Sequence, residues 1–287
     1  MKNKPTILLT GATGFIGSNL LQLLLVKNYQ VICLVRNHNN VPSKSHVNIT
    51  IDEVENFALS NRIDIVIHLA TFFCADKFPD EVNTQKLVDS NILFTSKLAR
   101  TLRSINPDLV LYSESAAQYL TKPQFPNFYS FTKSIGSEII EYYLPQKTMF
   151  VKLVFPDTYG IADPRSKLFT LLRKSLQEGS ILELSEGHQV LNYLYVDDVI
   201  DGIIFAIEKV VYEKKISLFR LRSPEAYTLR NIIEKFEDIS EQKLEIIWGA
   251  KPYRDSDVFN DSENPEDLPG WKSKISLEEG IKKILLD

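Results

Sequence analysis

Thr10-Gly-Ala-Thr-Gly-Phe-Ile-Gly17 decides how the rest of the chain is read. It follows an apolar run, Thr6–Thr10, and opens a helical pattern from Phe15 to Lys27. Gly11 permits a tight turn, Gly14 lets backbone approach a bound group closely, and Gly17 lets the helix sit against the strand. The free N–H groups and the helix dipole favour a phosphate there. A dinucleotide is therefore expected on Gly11, Thr13, Gly14, Phe15, Ile16 and Gly17. A merely structural turn is the alternative.

Outward from this turn, short apolar runs alternate with helical stretches. Val31–Val35, Ile63–Leu69, Leu109–Tyr112 and Val151–Phe155 read as buried strands, and Val82–Arg103 and Phe128–Tyr143 as helices. Such alternation argues for an α/β fold, a doubly wound parallel sheet covered on both faces. Pro156, Pro164, Pro224, Pro252, Pro265 and Pro269 break the later chain into shorter elements. Residues 1–155 are read as the nucleotide-binding domain, with 190–215 returning to it through Asn192–Glu208. Residues 156–189 and 216–287 form a smaller C-terminal α/β lobe for substrate. The acidic stretch Asp255–Asp267 reads as a solvated connection, and Trp271 as an anchor for the last helix.

Composition narrows the class. The 287 residues are 44% hydrophobic and 24% charged, as in ordinary soluble proteins. A net charge of −4 speaks against a general nucleic-acid surface. Cys33 and Cys74 lack metal-type spacing and read as free thiols of a reducing cytosol. The amino-terminal residues carry no signal-peptide pattern, and no apolar run reaches the roughly 20 residues of a membrane span. A cytoplasmic protein without membrane insertion is expected. His68 and His188 are not read as metal ligands; His68 reads as part of a cofactor pocket wall.

The second strand ends in Leu34-Val35-Arg36-Asn37, where a carboxylate would hold the adenosine ribose of NAD. A guanidinium binds a 2′-phosphate instead, so Arg36, with Asn37 beside it, favours NADP over NAD. A solvated arginine is the alternative. Asp52, after a third strand, is placed towards the adenine.

Tyr129 and Lys133 are four residues apart on one helix and share a face. A free phenol ionises near pH 10. A neighbouring ammonium stabilises the phenolate, so the pair can move a proton at neutral pH. Ser115 follows the strand Leu109–Tyr112, at a carboxyl end where ligands bind in open parallel sheets. Its hydroxyl can donate to a reacting oxygen.

TGATGFIG, Ile65–Thr71, Ser115, YSFTK and Tyr193–Val199 stand in the order of the extended short-chain dehydrogenase/reductases, and from about Thr6 to Leu285 the chain resembles that epimerase/dehydratase family. The resemblance implies a Rossmann-type fold and a catalytic triad of Ser115, Tyr129 and Lys133, with Lys133 also holding the nicotinamide ribose. It places Leu69, Ala70 and Thr71 along the cofactor path, Thr71 and Ser115 near substrate, and Asn91 in a structural role. It also implies a homodimer paired through the two long helices. Family dehydratases carry an Asp-Glu pair after the catalytic hydroxyl; Ala116 and Ala117 stand there in this chain. Thr158–Leu168, Ser185–Gln189 and Glu114 resemble the corresponding stretches of CDP-abequose and CDP-paratose synthases, although Leu191 stands where an Arg is common. Arg165, Lys167 and Arg254 are left to meet a nucleotide diphosphate.

The expectation is an NADPH-dependent reductase of a nucleotide-linked 4-keto-deoxy sugar, serving surface polysaccharide (lipopolysaccharide) or glycoconjugate synthesis. The alternatives are a 4-epimerase with bound NAD and a non-catalytic NADP-binding sensor.

Overall fold

The computed structural model describes residues 4–38, 47–120, 125–209, 214–254, 257 and 265–286. Two compact units emerge, residues 1–154 with 203–219, and residues 155–202 with 220–287.

The first unit opens with β1 (Thr6–Thr10), α1 (Phe15–Val26), β2 (Gln30–Leu34), β3 (Val47–Ile49), α2 (Val54–Ser60) and β4 (Ile65–His68). A long helical stretch follows: α3 (Glu81–Leu87), a π-helical turn (Val88–Leu93) and α4 (Phe94–Ile105). Next come β5 (Leu109–Ser115), a 3-10 turn (Ala116–Tyr119), α5 (Phe128–Tyr143) and β6 (Met149–Phe155). The second unit carries most of β7 (Asp157–Tyr159), α6 (Leu168–Glu178), β8 (Leu182–Glu183), β9 (Val190–Leu191), β10 (Tyr193–Tyr195) and α7 (Val196–Glu208). The chain then adds β11 (Ile216–Arg220) to the main sheet. It ends with β12 (Tyr227–Thr228), α8 (Leu229–Ser240), β13 (Ile246–Ile247) and α9 (Leu277–Leu285).

The main sheet runs β11-β6-β5-β4-β1-β2-β3. Pairing is parallel from β5 through β4, β1 and β2 to β3. The α/β reading holds, because strands such as LLT of β1 and VICL of β2 are buried along nearly their whole length, as a sheet covered on both faces demands. Leu8, Ile32, Val66, Val110 and Phe150 supply the strand side of one core, and Leu98, Leu102 and Ile140 its helix side. Chain order reverses direction at β1. From there β2 and β3 go one way and β4 and β5 the other, the switch point at whose strand ends open parallel sheets bind ligands.

The sequence undercounts two elements. β5 runs on to Ser115, beyond Tyr112, so Ser113 and Glu114 are strand residues. The helical stretch expected over Val82–Arg103 is not uniform, since it widens into the π turn at Val88–Leu93.

In the second unit the Tyr193–Val199 motif has a mechanical role. Buried Asp198 accepts the N–H groups of Lys274 (3.1 Å) and Ile275 (2.9 Å). Trp271, buried, donates to Asp201 at 3.0 Å. Of the acidic stretch Asp255–Asp267, residues 255–256 and 258–264 lie outside the described residues. Its far end is pinned: Asp267 pairs with Arg220 at 2.7 Å and Arg222 at 3.1 Å. No helix among the described residues is long and apolar enough to cross a membrane. Replacing Asp198 with Ala should strand the Lys274 and Ile275 N–H groups and cost about 1–3 kcal/mol for each left unpaired. Thermal unfolding would show this as a lowered midpoint; an unchanged midpoint would deny the carboxylate its anchoring role.

Candidate active site

The carboxyl ends of β5, β4, β1, β2 and β3 lie side by side, and the expected residues of the first unit follow them in that order. Ser115 ends β5, Leu69–Thr71 follow β4, Gly11–Gly17 follow β1, Arg36 and Asn37 follow β2, and Asp52 follows β3.

Gly11 adopts φ +74°, the left-handed conformation that an L side chain resists. A Cβ on it would lie 2.7 Å from the Ala70 nitrogen. A Cβ on Gly17 would lie 2.0 Å from the Gly11 carbonyl oxygen. The turn, the first helical turn of α1 and the chain after β4 therefore touch through backbone alone. Gly14 is the N-cap of α1 and exposed, no side chain caps it, and no acidic residue stands in the first turn. This open, uncapped helix start fits the pyrophosphate of a dinucleotide. Thr13 is exposed beside it, Ile16 is half-buried and Phe15 turns into the core.

Arg36, Asn37 and Asp52 are exposed at the strand ends. Close to them, His38 pairs with Glu53 at 3.1 Å. Hydrogen bonds from Thr50 hold the Glu53 carboxyl below its usual range, with His38 adding to the effect.

His68 is not a pocket wall. It is fully buried, with Nδ1 2.6 Å from Thr10 Oγ and Nε2 3.0 Å from Thr95 Oγ. Thr10 Oγ also accepts the Ala70 N–H at 3.0 Å, so the ring is tied through Thr10 to the chain after β4 and through Thr95 to α4. Burial, with the Lys133 charge adding to it, pulls the imidazole down to about 3, so the ring is neutral. It is a strut beneath the strand ends.

Asn91, inside the π turn, is a second strut. Its Oδ1 accepts from Thr71 Oγ (3.0 Å) and the Phe72 N–H (2.8 Å). Its Nδ2 donates to the Phe72 carbonyl (3.1 Å) and Thr132 Oγ (3.0 Å). Such single-turn widenings recur at functional sites. This one fastens the chain after β4 to α5.

The start of α5 is fixed by Asn127, whose side chain accepts the Ser130 N–H at 2.9 Å. Tyr129 is mostly buried, its ring edge-on to Phe73 at 4.9 Å. Lys133 is 2% exposed, and its Nζ donates to Ser113 Oγ at 3.3 Å and lies 4.0 Å above the Tyr112 ring. Burial pulls this ammonium down to about 8, against the charge of Glu114. The helix lies close on β5: Tyr112 donates to the Lys133 carbonyl at 3.1 Å, and a Cβ on Gly136 would meet the Tyr112 hydroxyl at 2.6 Å. Ser115 is half-buried and caps the 3-10 turn, its N–H donating to Gln118 Oε1 at 2.7 Å.

Ser113, Gln118 and Glu114 are the residues whose positions sequence reasoning did not foresee. Extending β5 by three residues would have made Ser113 a residue of the strand end that the Lys133 side chain reaches.

In the second unit, Arg165 is bound to Asp163 at 2.7 Å and to the Thr158 carbonyl at 2.7 Å, and Lys167 to Asp157 at 2.9 Å. Burial, and next Asp157, raise the pKa of Tyr193, while Arg254 and Arg165 both oppose the rise. Among the described residues no group of three or more His, Cys, Asp or Glu side chains is placed to hold a metal.

Residues 7–218 match the model of the NAD dependent epimerase/dehydratase family. A CDP-abequose synthase of Yersinia pseudotuberculosis is 24% identical over 260 residues, covering 88% of this chain and 90% of the relative. A putative UDP-glucose 4-epimerase of Methanocaldococcus jannaschii is 25% identical, with 97% of each chain covered. Among solved structures, the UDP-glucuronic acid 4-epimerase of Bacillus cereus, in complex with UDP-glucuronic acid and NAD, superposes with a TM-score of 0.80 at 23% identity over 98% of both chains. That likeness extends to the whole fold, and the chain belongs to the NAD-dependent epimerase/dehydratase family.

Proposed function

We propose that this protein is an NADPH-dependent reductase of a nucleotide-linked 4-keto-deoxy sugar. The observation that carries the reading is the buried ammonium of Lys133, one helical turn from Tyr129, with the half-buried hydroxyl of Ser115 at the end of the neighbouring strand. A cation so placed stabilises a phenolate and makes the phenol a usable acid at neutral pH. Tyr129 then donates its proton to the ketone oxygen as that oxygen becomes a hydroxyl. Ser115 donates a hydrogen bond to the same oxygen, and Lys133 holds the nicotinamide ribose. When bound, the nicotinamide supplies the hydride. The likeness to CDP-abequose synthases supports this reading, and the likeness to UDP-sugar 4-epimerases keeps epimerisation as the second one. Ala116 and Ala117 cannot transfer a proton, which disfavours dehydration.

Gly11, Thr13, Gly14, Phe15, Ile16 and Gly17 are proposed to hold the pyrophosphate end, Asp52 the adenine, and Leu69, Ala70 and Thr71 the path to the nicotinamide. Thr71 also reaches the sugar. Arg165, Lys167 and Arg254 take the nucleotide diphosphate; their neighbouring carboxylates Asp163 and Asp157 would hold Arg165 and Lys167 ready. Exposed Val82, Leu93 and Tyr142 on α3, the π turn and α5 favour a homodimer through these helices.

NADPH oxidation against a panel of nucleotide 4-keto-6-deoxy and dideoxy sugars tests the reaction. A substrate in that panel is expected, and Tyr129→Phe should lower its turnover by about 10²–10⁴. Interconversion of UDP-hexoses without net NADPH consumption would replace the reductase with the epimerase. Arg36 should favour NADPH by about tenfold to a hundredfold, the worth of a charge-assisted bond of roughly 1.5–3 kcal/mol. Arg36→Asp should reverse the preference, read as Kd values for NADPH and NADH; equal affinities in the unaltered protein would return Arg36 to the solvated surface. Light scattering at micromolar concentration should give the mass of two chains, and a monomer would remove the helix-paired dimer.

A further inference from the structure

Glu114 has no role in the reading above, yet it is among the most buried charged side chains of the first unit, at 3% exposure. It stands on β5 between Ser113 and Ser115. One amide grips it: Gln118 Nε2 donates to Glu114 Oε2, while Gln118 Oε1 accepts the Ser115 N–H. The carboxylate and the Ser115 backbone are thus held by opposite ends of the same side chain.

Lys133 presents the complementary problem. Its ammonium touches the Ser113 hydroxyl and the face of Tyr112, and neither carries a charge. A buried ammonium without an anion is strongly disfavoured. His68, facing it from β4, is neutral. We propose that Glu114 is the buried counter-ion of Lys133, a positioning residue that through Gln118 ties the charge on that lysine to the backbone of Ser115. The inference rests on the Tyr129–Lys133 reading of the reaction.

The surrounding charges agree with this. Burial raises the pKa of Glu114, and the foremost opposing influence is Lys133, followed by Ser137 on α5, Gln118 and Lys152 on β6. Lys152 is itself engaged by Glu141 at 2.8 Å and Glu138 at 3.8 Å. The phenols of Tyr112 and Tyr119 face Glu114 too; burial first, then its charge, holds both well above their usual range and therefore neutral. Burial lowers Lys133, and Glu114 is the group that raises it. Each is thus the foremost charge opposing what burial does to the other.

The sign of the test follows. Without the Glu114 charge, burial acts on Lys133 unopposed and the lysine loses its proton at lower pH. With 13Cε-labelled lysine, the Lys133 resonance, identified by its loss in Lys133→Met, can be titrated in the full-length protein without substrate. Glu114→Gln, which keeps shape and hydrogen bonding, should lower its midpoint by about one pH unit or more, a tenfold change in its acid dissociation constant. Glu114→Asp should keep it near the original value. The alkaline limb of kcat/KM for NADPH-dependent reduction should move with the resonance. If Glu114→Gln does not accumulate as folded protein, Glu114→Ser removes the same charge with less demand on packing. A Lys133 midpoint that is the same with and without the carboxylate overturns the proposal. A lowered midpoint with an unmoved kinetic limb upholds the counter-ion and overturns the assignment of Lys133 to the reaction.

Discussion

Everything at the strand ends depends on a close approach that admits no side chain at residue 11. The Gly11 α-carbon lies so near the Ala70 backbone that a Cβ would fall 2.7 Å from its nitrogen. From that contact a series of hydrogen bonds runs through the unit. Ala70 donates to Thr10, Thr10 meets His68, and His68 meets Thr95 on α4. Asn91 then fastens the chain after β4 to Thr132 on α5. The glycine-rich turn, two strand ends and the helix bearing Tyr129 and Lys133 become one frame, joined mostly by groups hidden from water. Buried hydrogen bonds of this kind fix position more than they add stability, because each unmet partner would carry its full desolvation penalty.

The frame is electrically quiet. His68 is neutral, and the threonines and asparagine carry no charge. Against this background the ammonium of Lys133 has an effect that a solvated lysine lacks, since charges interact more strongly where water is excluded. The same exclusion threatens to discharge it, which is why a nearby carboxylate matters. In the second unit the balance is different. Arg165 and Lys167 are only partly buried and each already rests on a carboxylate. Such pairs at a surface add little stability, so their value lies in orienting cations.

Much of this was legible in the sequence, and what was not has identifiable physical causes. The glycine turn was readable because its neighbours on both sides were unambiguous, and α5 occupies the expected Phe128–Tyr143. The end of β5 was not readable: Ser113-Glu114-Ser115 has the composition of a loop, and only burial under α5 makes it strand. The π turn was hidden because one extra residue barely disturbs helical periodicity over a single turn. His68 looked accessible beside Leu69 and Ala70, and only the threonines above and below it, distant in sequence, reveal it as interior. Several strands of the second unit, such as Leu182–Glu183 and Val190–Leu191, have two residues, too few to show any alternation.

The placement of Glu114 shows how position along a strand decides what an acid can do. Side chains alternate across a sheet, so Ser113 and Ser115 share one face and Glu114 points to the other, with Tyr112. On that face Tyr112 meets α5, at the Lys133 carbonyl and at Gly136. A carboxylate two or three residues later, at Ala116 or Ala117, would stand on the 3-10 turn beyond the strand, partly open to solvent and free to exchange protons. At 114 it is held by Gln118 and almost wholly buried, away from solvent. The chain thus lacks an acid where one would serve as a proton donor or acceptor. It carries one where an acid can serve only by its charge.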